Sequence, residues 1–407
     1  MWIILTIYLL IIAIYFSIKL KFKNFKINIK ELFKRDKTSL FLTLGTKIGV
    51  GSIIGTTSSI LIGGFSSVIW IILFSFIFSS IIYYESYYGN KYKKNNNNEY
   101  VGGPYFIFKY GLNDKVLAII SLILLIILYS FLFQMIQFNT ISYALINYLN
   151  ISKTIIIIVS SIILFITLSL SVKNILNLMN KIVPYMCLLF IVTSLYIILK
   201  NINLLNIELF IKDITNIKSI LCGLVIGIKR SIFMNETLIG TTSTTSASDK
   251  NNIEVSIKYQ ILSTYFISII ITLLVTFLLL VYLNENTIIT DYNELLFNIF
   301  NTNKYGALFL IIIYILFGFT TVLSGYYIGI NNIEYLTNKK IYLIIFKILF
   351  IISCVFGIIL NNNYIWKYTD IFIFIMIIIN SYSIIKLVMF YDRKWLGYSI
   401  KKCMGKS

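Results

Sequence analysis

Gly45-Thr-Lys-Ile-Gly49-Val-Gly51-Ser-Ile-Ile-Gly55 packs four of the chain's 20 glycines into eleven residues, inside an apolar run long enough to cross a bilayer. A glycine inside a helix costs roughly 0.5–1 kcal/mol relative to alanine, so four so close together argue against one continuous helix. In hydrocarbon a broken helix survives only where its freed backbone groups line a protein-enclosed cavity. Such groups become ligands, because helix starts attract carboxylates and unwound carbonyls attract cations. The spacing has a second meaning. Gly45/Gly49 and Gly51/Gly55 are both GxxxG pairs, the pattern of close helix packing. A phosphate cradle is the weakest reading, since no strand precedes the stretch and no Gly-Lys-Ser/Thr follows it.

The flanking composition is that of a polytopic membrane protein. Mean hydropathy is +0.87, 58% of residues are hydrophobic and only 13% are charged. Apolar runs joined by short loops fill nearly all 407 residues and leave no room for a soluble catalytic domain. The net charge of +19 does not indicate nucleic acid. Eight Lys/Arg lie between Lys19 and Lys37 and the others sit mainly at helix ends, the distribution of loops anchored to an anionic cytoplasmic leaflet. Histidine is absent and the four cysteines are scattered, so neither a metal spacing nor a disulfide framework is present.

The hydropathy pattern predicts an all-α protein with eleven spans. Residues 2–20 form the first, read as a retained helix with its N-terminus outside, followed by a basic linker to residue 37. The broken span 38–62 and spans 65–89, 114–149, 152–171 and 182–199 follow, the last with an amphipathic lead-in at 172–181. Val101 to Leu112 is too short to cross and contains Gly-Gly-Pro, so it is a re-entrant or surface segment. A second punctuated region, 215–247, carries Gly223, Gly227, Gly240 and the Ser/Thr cluster Thr241 to Ser248. Spans 256–283, 304–330, 341–360 and 365–389 complete the set. The acidic loop 284–303 (Glu285, Asp291, Glu294) belongs outside; Lys339, Lys340 and the tail with Arg393 and Lys394 belong inside. With the first span set aside, interruptions fall at positions one and six of ten. That placement is the sequence signature of an inverted-repeat transporter with a midplane site.

Several motifs, in order along residues 40–390, resemble the alanine/glycine:cation (sodium) symporter family. Gly49-Val-Gly-Ser-Ile-Ile-Gly55, Gly63-Gly64 and Trp70 resemble its Gly-Thr-Gly-Asn-Ile-Ala-Gly, Gly-Gly-Pro-Gly and Phe-Trp. Gly102-Gly-Pro-Tyr-Phe, Gln137-Phe-Asn-Thr and Pro184-Tyr-Met follow in register. Gly227-Ile-Lys-Arg-Ser-Ile-Phe-Met-Asn-Glu236 is similar to Gly-Val-Lys-Arg-Gly-Val-Phe-Ser-Asn-Glu, and Phe319-Thr-Thr-Val-Leu and Trp366 to Asn380 match later segments. The chain departs from the family at Val50 and Ser52 (Thr and Asn there), at Phe65, at Leu238 of Asn235-Glu-Thr-Leu and at Ile330.

The resemblance implies one N-terminal helix plus a five-plus-five inverted repeat of the leucine-transporter type. Its divisions are 1–37 (helix and linker), 38–200, 201–389 and a basic tail, 390–407. It also implies a multi-pass protein of a bacterial plasma membrane, C-terminus cytoplasmic, that imports a small neutral amino acid with sodium as coupling ion and needs no other cofactor. Carbonyls of Gly45 and Ile48 and hydroxyls of Thr320 and Thr321 would hold sodium, a hard cation suited to neutral oxygens. The alternative for these threonines is hydrogen bonding to their own helix. Amides at Gly49, Val50, Gly51 and Ser52 would take the substrate carboxylate, and Gln137 would bind substrate or bridge two helices. Val50 in place of Thr makes the pocket more apolar and favours a slightly larger neutral substrate.

A charge at midplane costs about 2.5–3.5 kcal/mol, so such residues pair, snorkel or function. Lys229, Arg230 and Glu236 are therefore either a cytoplasmic gate network or snorkelling anchors. Lys47, one residue from Ile48, must point away from a bound cation; pointing inward, it favours proton-coupled or uncoupled transport. A non-transporting sensor is the alternative from another class. An enzyme is disfavoured, since no intramembrane carboxylate pair is evident in the sequence. The oligomeric state is not readable.

Overall fold

Apolar runs of this length fold as helices because only a helix satisfies every backbone N–H and C=O within its own segment in hydrocarbon. The computed structural model describes residues 2–22, 24, 35–96, 99–250, 252–283, 292–302, 305–337 and 339–390. Most of the basic linker, the loop acids Glu285 and Asp291, and the tail with Arg393 and Lys394 lie outside the described residues.

The helices in order are α1 (Trp2–Lys19), α2 (Thr38–Lys47), α3 (Val50–Gly63) and α4 (Ser66–Lys91). A hairpin of β1 (Lys94–Asn96) and β2 (Glu99–Val101) and the short helical stretches Pro104–Phe106 and Ile107–Gly111 lead to α5 (Lys115–Leu149). Then come α6 (Lys153–Leu168), α7 (Val172–Lys200), α8 (Ile207–Thr215), α9 (Ile217–Asn235) and α10 (Thr241–Ala247). The chain continues through α11 (Ile253–Tyr282), α12 (Tyr292–Phe300), α13 (Gly306–Leu336), α14 (Lys340–Ile359) and α15 (Asn362–Phe390).

Among the described residues, eight helices are long and apolar enough to span a bilayer, and a ninth span counts if the bent α2/α3 pair is taken as one. The other two expected spans differ for physical reasons. α6 has 16 residues, about 24 Å at 1.5 Å per residue, and the α9/α10 region is broken and rich in Ser and Thr. The expected lead-in at 172–181 is not separate, because α7 runs unbroken through Pro184. Two helices were not foreseen: α8, and α12 inside the acidic loop. The segment after β2 is not a surface strip, since Phe106 and Phe108 are fully buried.

The breaks also fall differently from the glycine clusters. Only Gly49 of the first four lies in a break; Gly45, Gly51 and Gly55 are helical. Gly223 and Gly227 are likewise helical and serve packing: added Cβ atoms there would meet Ser66, Ser67 and Trp70 on α4. Lipid tails are as apolar as leucine, so small residues that let backbones approach supply the association between such helices. α4 is packed against α9, α10, α11 and α1, while α13 packs against α5, α7 and α2. The two broken helices sit between these groups. Most of the buried Ser/Thr run of α10 is satisfied locally, since Thr244, Thr245, Ser246 and Ser248 return their hydroxyls to carbonyls of the preceding turn, while Thr242 Oγ1 is buried without a partner.

Candidate functional site

The first break is two residues long. Ile48 (φ −93°, ψ 77°) and Gly49 (φ −102°, ψ 177°) leave the helical region, and α3 restarts at an angle of 46° to α2. Gly49 is not required for its backbone angles, which any residue adopts. It is required for approach: a Cβ would lie 2.8 Å from Thr321 Oγ1 and 3.0 Å from the Gln137 amide. Those two side chains close over the break from α13 and α5. Thr321 Oγ1 donates to the Gly45 carbonyl (3.0 Å), and the Val50 N–H donates to Gln137 Oε1 (3.0 Å). Ser52 Oγ donates to the Lys47 carbonyl (2.7 Å), tying the two helix halves together.

The second break, between α9 and α10, is made differently. Glu236 (φ 53°), Leu238 (φ 60°) and Gly240 (φ 101°) all occupy left-handed backbone. For residues other than glycine this conformation costs roughly 1–2 kcal/mol each. Glu85 on α4 offsets that cost by accepting the N–H groups of Leu238 (2.9 Å) and Gly240 (3.2 Å). Asn380 on α15 donates to the Leu238 carbonyl (2.8 Å). Leu238 stands where the resembled motif has glycine, so hydrogen bonds from two other helices over-determine its conformation.

Between the breaks lies a cavity of about 30 Å³, room for about one water. Gly49, Gly51, Ser52, Gln137, Thr321 and Glu236 line it, with Thr46 and Lys47 beside them and Phe133, Ile136 and Phe233 as its apolar wall. Four of the five expected substrate residues therefore meet at one place. Val50 does not: it contributes its amide to Gln137, and its side chain is not part of the wall. The expectation that Val50 makes the pocket more apolar is corrected accordingly.

Of the expected ion ligands, Gly45 and Thr321 are directly bonded, and Ile48 lies buried in the break. Thr320 turns elsewhere, donating to the Phe317 carbonyl (3.1 Å) beside Met186 Sδ (3.2 Å). Lys47 does not point away: it is buried and lines the same cavity. Its ammonium donates to Thr264 Oγ1 (3.0 Å), with Ser263 Oγ at 3.4 Å, both on α11. The Gly45 carbonyl faces α13 instead.

Lys229, Arg230 and Glu236 do not form one network. Lys229 pairs with Asp370 at 2.6 Å with its side chain 40% exposed, as an anchor would. Arg230 does not snorkel: it is buried, and its Nη2 donates to the carbonyls of Gly51 (2.5 Å) and Ser52 (3.2 Å) across α3. A Cβ at Gly55 would collide with that guanidinium, which explains this glycine. Glu236 is buried at the second break and accepts from Thr241 Oγ1 (2.6 Å). Glu85 carries no sequence signal that pairs it with residues 238–240. Phe133 and Phe233 were missed because aromatic residues in a membrane helix carry no signal that separates a pocket wall from a lipid-facing surface.

At one end of the bundle Ser39 Oγ donates to the Asp249 carboxylate (2.8 Å), and Lys93 Nζ donates to the Asp249 carbonyl (2.6 Å). Burial lowers the pKa of Lys93 and the Asp249 carboxylate opposes that shift. At the other end the Phe65 N–H donates to Asp213 of α8 (2.6 Å), and Ser66 Oγ donates to the Ser219 carbonyl (2.7 Å). Hydrogen bonds thus join the broken helices to their neighbours at both ends of the bundle.

A family model described as the sodium:alanine symporter family matches residues 1–407. The chain is 24% identical over 395 residues to amino-acid carrier protein AlsT of Bacillus subtilis (strain 168), covering 92% of this chain and 84% of that one. It is 24% identical over 434 residues to a probable sodium/glutamine symporter, GlnT, of the same organism, covering 99% and 89%. An uncharacterized transporter of Haemophilus influenzae is 25% identical over 367 residues, covering 84% of this chain and 75% of that protein.

Proposed function

Because the chain belongs to the sodium:alanine symporter family, we propose that it imports a small neutral amino acid, alanine- or glycine-like, driven by sodium. Its relatives are carriers rather than enzymes, and the apolar helices make it a multi-pass membrane protein. The observation that carries the reading is the first break. Gln137 and Thr321 close on a two-residue interruption beside a cavity with a few polar groups and an apolar wall, the arrangement in which unwound backbone holds a solute and a cation.

In this reading sodium sits on the Gly45 and Ile48 carbonyls with the Thr321 hydroxyl, and Thr320 stands next to that site. The substrate carboxylate takes the first-turn amide of α3 at Gly51, beside Gly49 and Ser52, while the Val50 amide stays on Gln137, which fixes the break. Lys47 lines the same cavity, which favours a proton-coupled or uncoupled carrier as the second reading.

The architecture is a five-plus-five repeat preceded by α1. Support comes from the order of elements. Each half runs through a broken helix, a long helix and a short helical segment, then a long, a shorter and a long helix. The end of the bundle holding Lys19, Lys93 and Lys250 is cytoplasmic, which leaves the N-terminus outside and the bilayer around the apolar faces.

The test is uptake of labelled alanine by the full chain in vesicles, with an inward sodium gradient or with choline in its place. At least a tenfold stimulation by sodium is expected. Equal uptake in the two conditions excludes sodium coupling, and saturable binding without flux makes the chain a sensor.

A further inference from the structure

Three ionisable side chains share the interior between the two breaks: Lys47 on α2, Glu85 on α4 and Glu236, none more than 4% exposed. Lys47 interacts electrostatically with both carboxylates. One cation against two anions leaves a negative charge in excess, in surroundings where an uncompensated charge is expensive. Arg230 does not cancel it, because its guanidinium is committed to the Gly51 and Ser52 carbonyls and makes no ion pair among the described residues.

The two carboxylates are not equivalent. Both oxygens of Glu85 are engaged by the second break, Oε2 by the Leu238 amide and Oε1 by the Gly240 amide. Glu236 lines the cavity instead, with Thr241 donating to its Oε2. Of the two carboxylates, Glu236 is the one that faces the space where a solute binds.

We propose that Glu236 holds the ammonium group of the amino-acid substrate, across the cavity from Gly51 and Ser52. This deepens the transport reading and rests on it. An ammonium brings three N–H donors and needs acceptors, which a carboxylate supplies. A sodium ion needs several oxygens together, and these lie at the Gly45 and Thr321 side. Opposite Glu236, the Gly51 amide in the first turn of α3 has no carbonyl of its own helix to bond, and the helix start favours a carboxylate. A zwitterion then spans the cavity with each charge facing its opposite. Glu236 already accepts from Thr241 and interacts with Lys47, but a ligand without the ammonium gives its cavity face no donor, which is how a polar site rejects an analogue that lacks its partner group.

Full-length protein in vesicles, under a sodium gradient, tests this by competition against labelled alanine uptake. The competitors are alanine and propionate, the same skeleton without the ammonium. In the wild type, propionate is expected to compete at least about 100-fold more weakly than alanine. Glu236→Gln leaves Lys47 balanced by Glu85 and lowers alanine affinity about 10- to 100-fold, without weakening propionate, so the ratio collapses. Equal competition by the two ligands in the wild type, or an unchanged ratio in Glu236→Gln, overturns the assignment. Should that variant not accumulate, Glu236→Asp carries the test. It keeps the charge and withdraws it by one methylene, so alanine affinity drops and propionate is unaffected; unchanged alanine affinity overturns the assignment. A wild type that takes up no alanine removes the transport reading and this assignment with it, whereas uptake with an unchanged ratio removes this assignment alone.

Discussion

Gly49 and Thr321 illustrate how single side chains carry the site. Gly49 is a vacancy into which Thr321 and Gln137 fit, so an added methyl overpacks the break at a cost of about 1–3 kcal/mol. Gly49→Ala is expected to reduce sodium-driven uptake at least tenfold while far-UV circular dichroism stays that of the wild type. Uptake within twofold of wild type would show that the break does not need this close approach. Thr321 and its neighbour Thr320 form an internal control. Both hydroxyls lie within reach of the Phe317 carbonyl of their own helix, and that of Thr321 also reaches across to the Gly45 carbonyl. Thr321→Ala should raise the sodium concentration for half-maximal uptake at least tenfold, and Thr320→Ala about twofold or less. Sodium dependence unaltered in Thr321→Ala places the ion elsewhere.

At the scale of elements, the two broken helices have different causes. The first is broken by its own sequence at Gly49, where a missing side chain makes room. The second carries a leucine in left-handed backbone, held from outside by Glu85 on α4 and Asn380 on α15. A buried donor left without its acceptor costs about 1–3 kcal/mol, and more when the lost partner is charged. Glu85→Gln presents an amide NH2 to at least one of the Leu238 and Gly240 N–H groups. The variant should melt several degrees below wild type in detergent and exchange its amides at 238–240 faster in hydrogen-exchange mass spectrometry. Unchanged exchange there would mean that the break holds itself. α4 contributes more than packing: it is the strut that keeps the second break open.

For the whole molecule the question is how a solute reaches a cavity with room for about one water. At both ends hydrogen bonds join the broken helices to their surroundings, so transport requires each set to open in turn. At the α3/α9 end, Ser66 Oγ and Ser219 Oγ stand 3.4 Å apart. A Ser66→Cys, Ser219→Cys pair, made with the exposed Cys222 replaced, should form a disulfide under oxidant. Uptake should then stop and return with reductant. Transport that persists in the cross-linked protein would show that this end stays shut throughout the cycle. The opposite end, where Asp249 joins Ser39 and Lys93, is the corresponding seal on the basic side.

Fold class, the long spans, the basic side of the bundle and the existence of two interruptions were all legible in the amino-acid order. Each depends on local quantities: hydropathy over about 20 residues, charge near span ends, and glycine density. The membrane enforces them, because it offers no water to an unsatisfied backbone. Local information also picked out Gly49, Ser52 and Gln137, which line the cavity. It could not tell a packing glycine from a breaking one, since Gly45, Gly51 and Gly55 look the same until Met179, Phe233 and Arg230 are seen against them. Nor could it separate Thr320 from Thr321, or an anchoring Lys229 from a buried Arg230, neighbours that differ only in which way they face. Those decisions belong to tertiary structure. The partners come from positions as far apart as Glu85 and Leu238, and a buried polar group is settled only by what lies within hydrogen-bond reach.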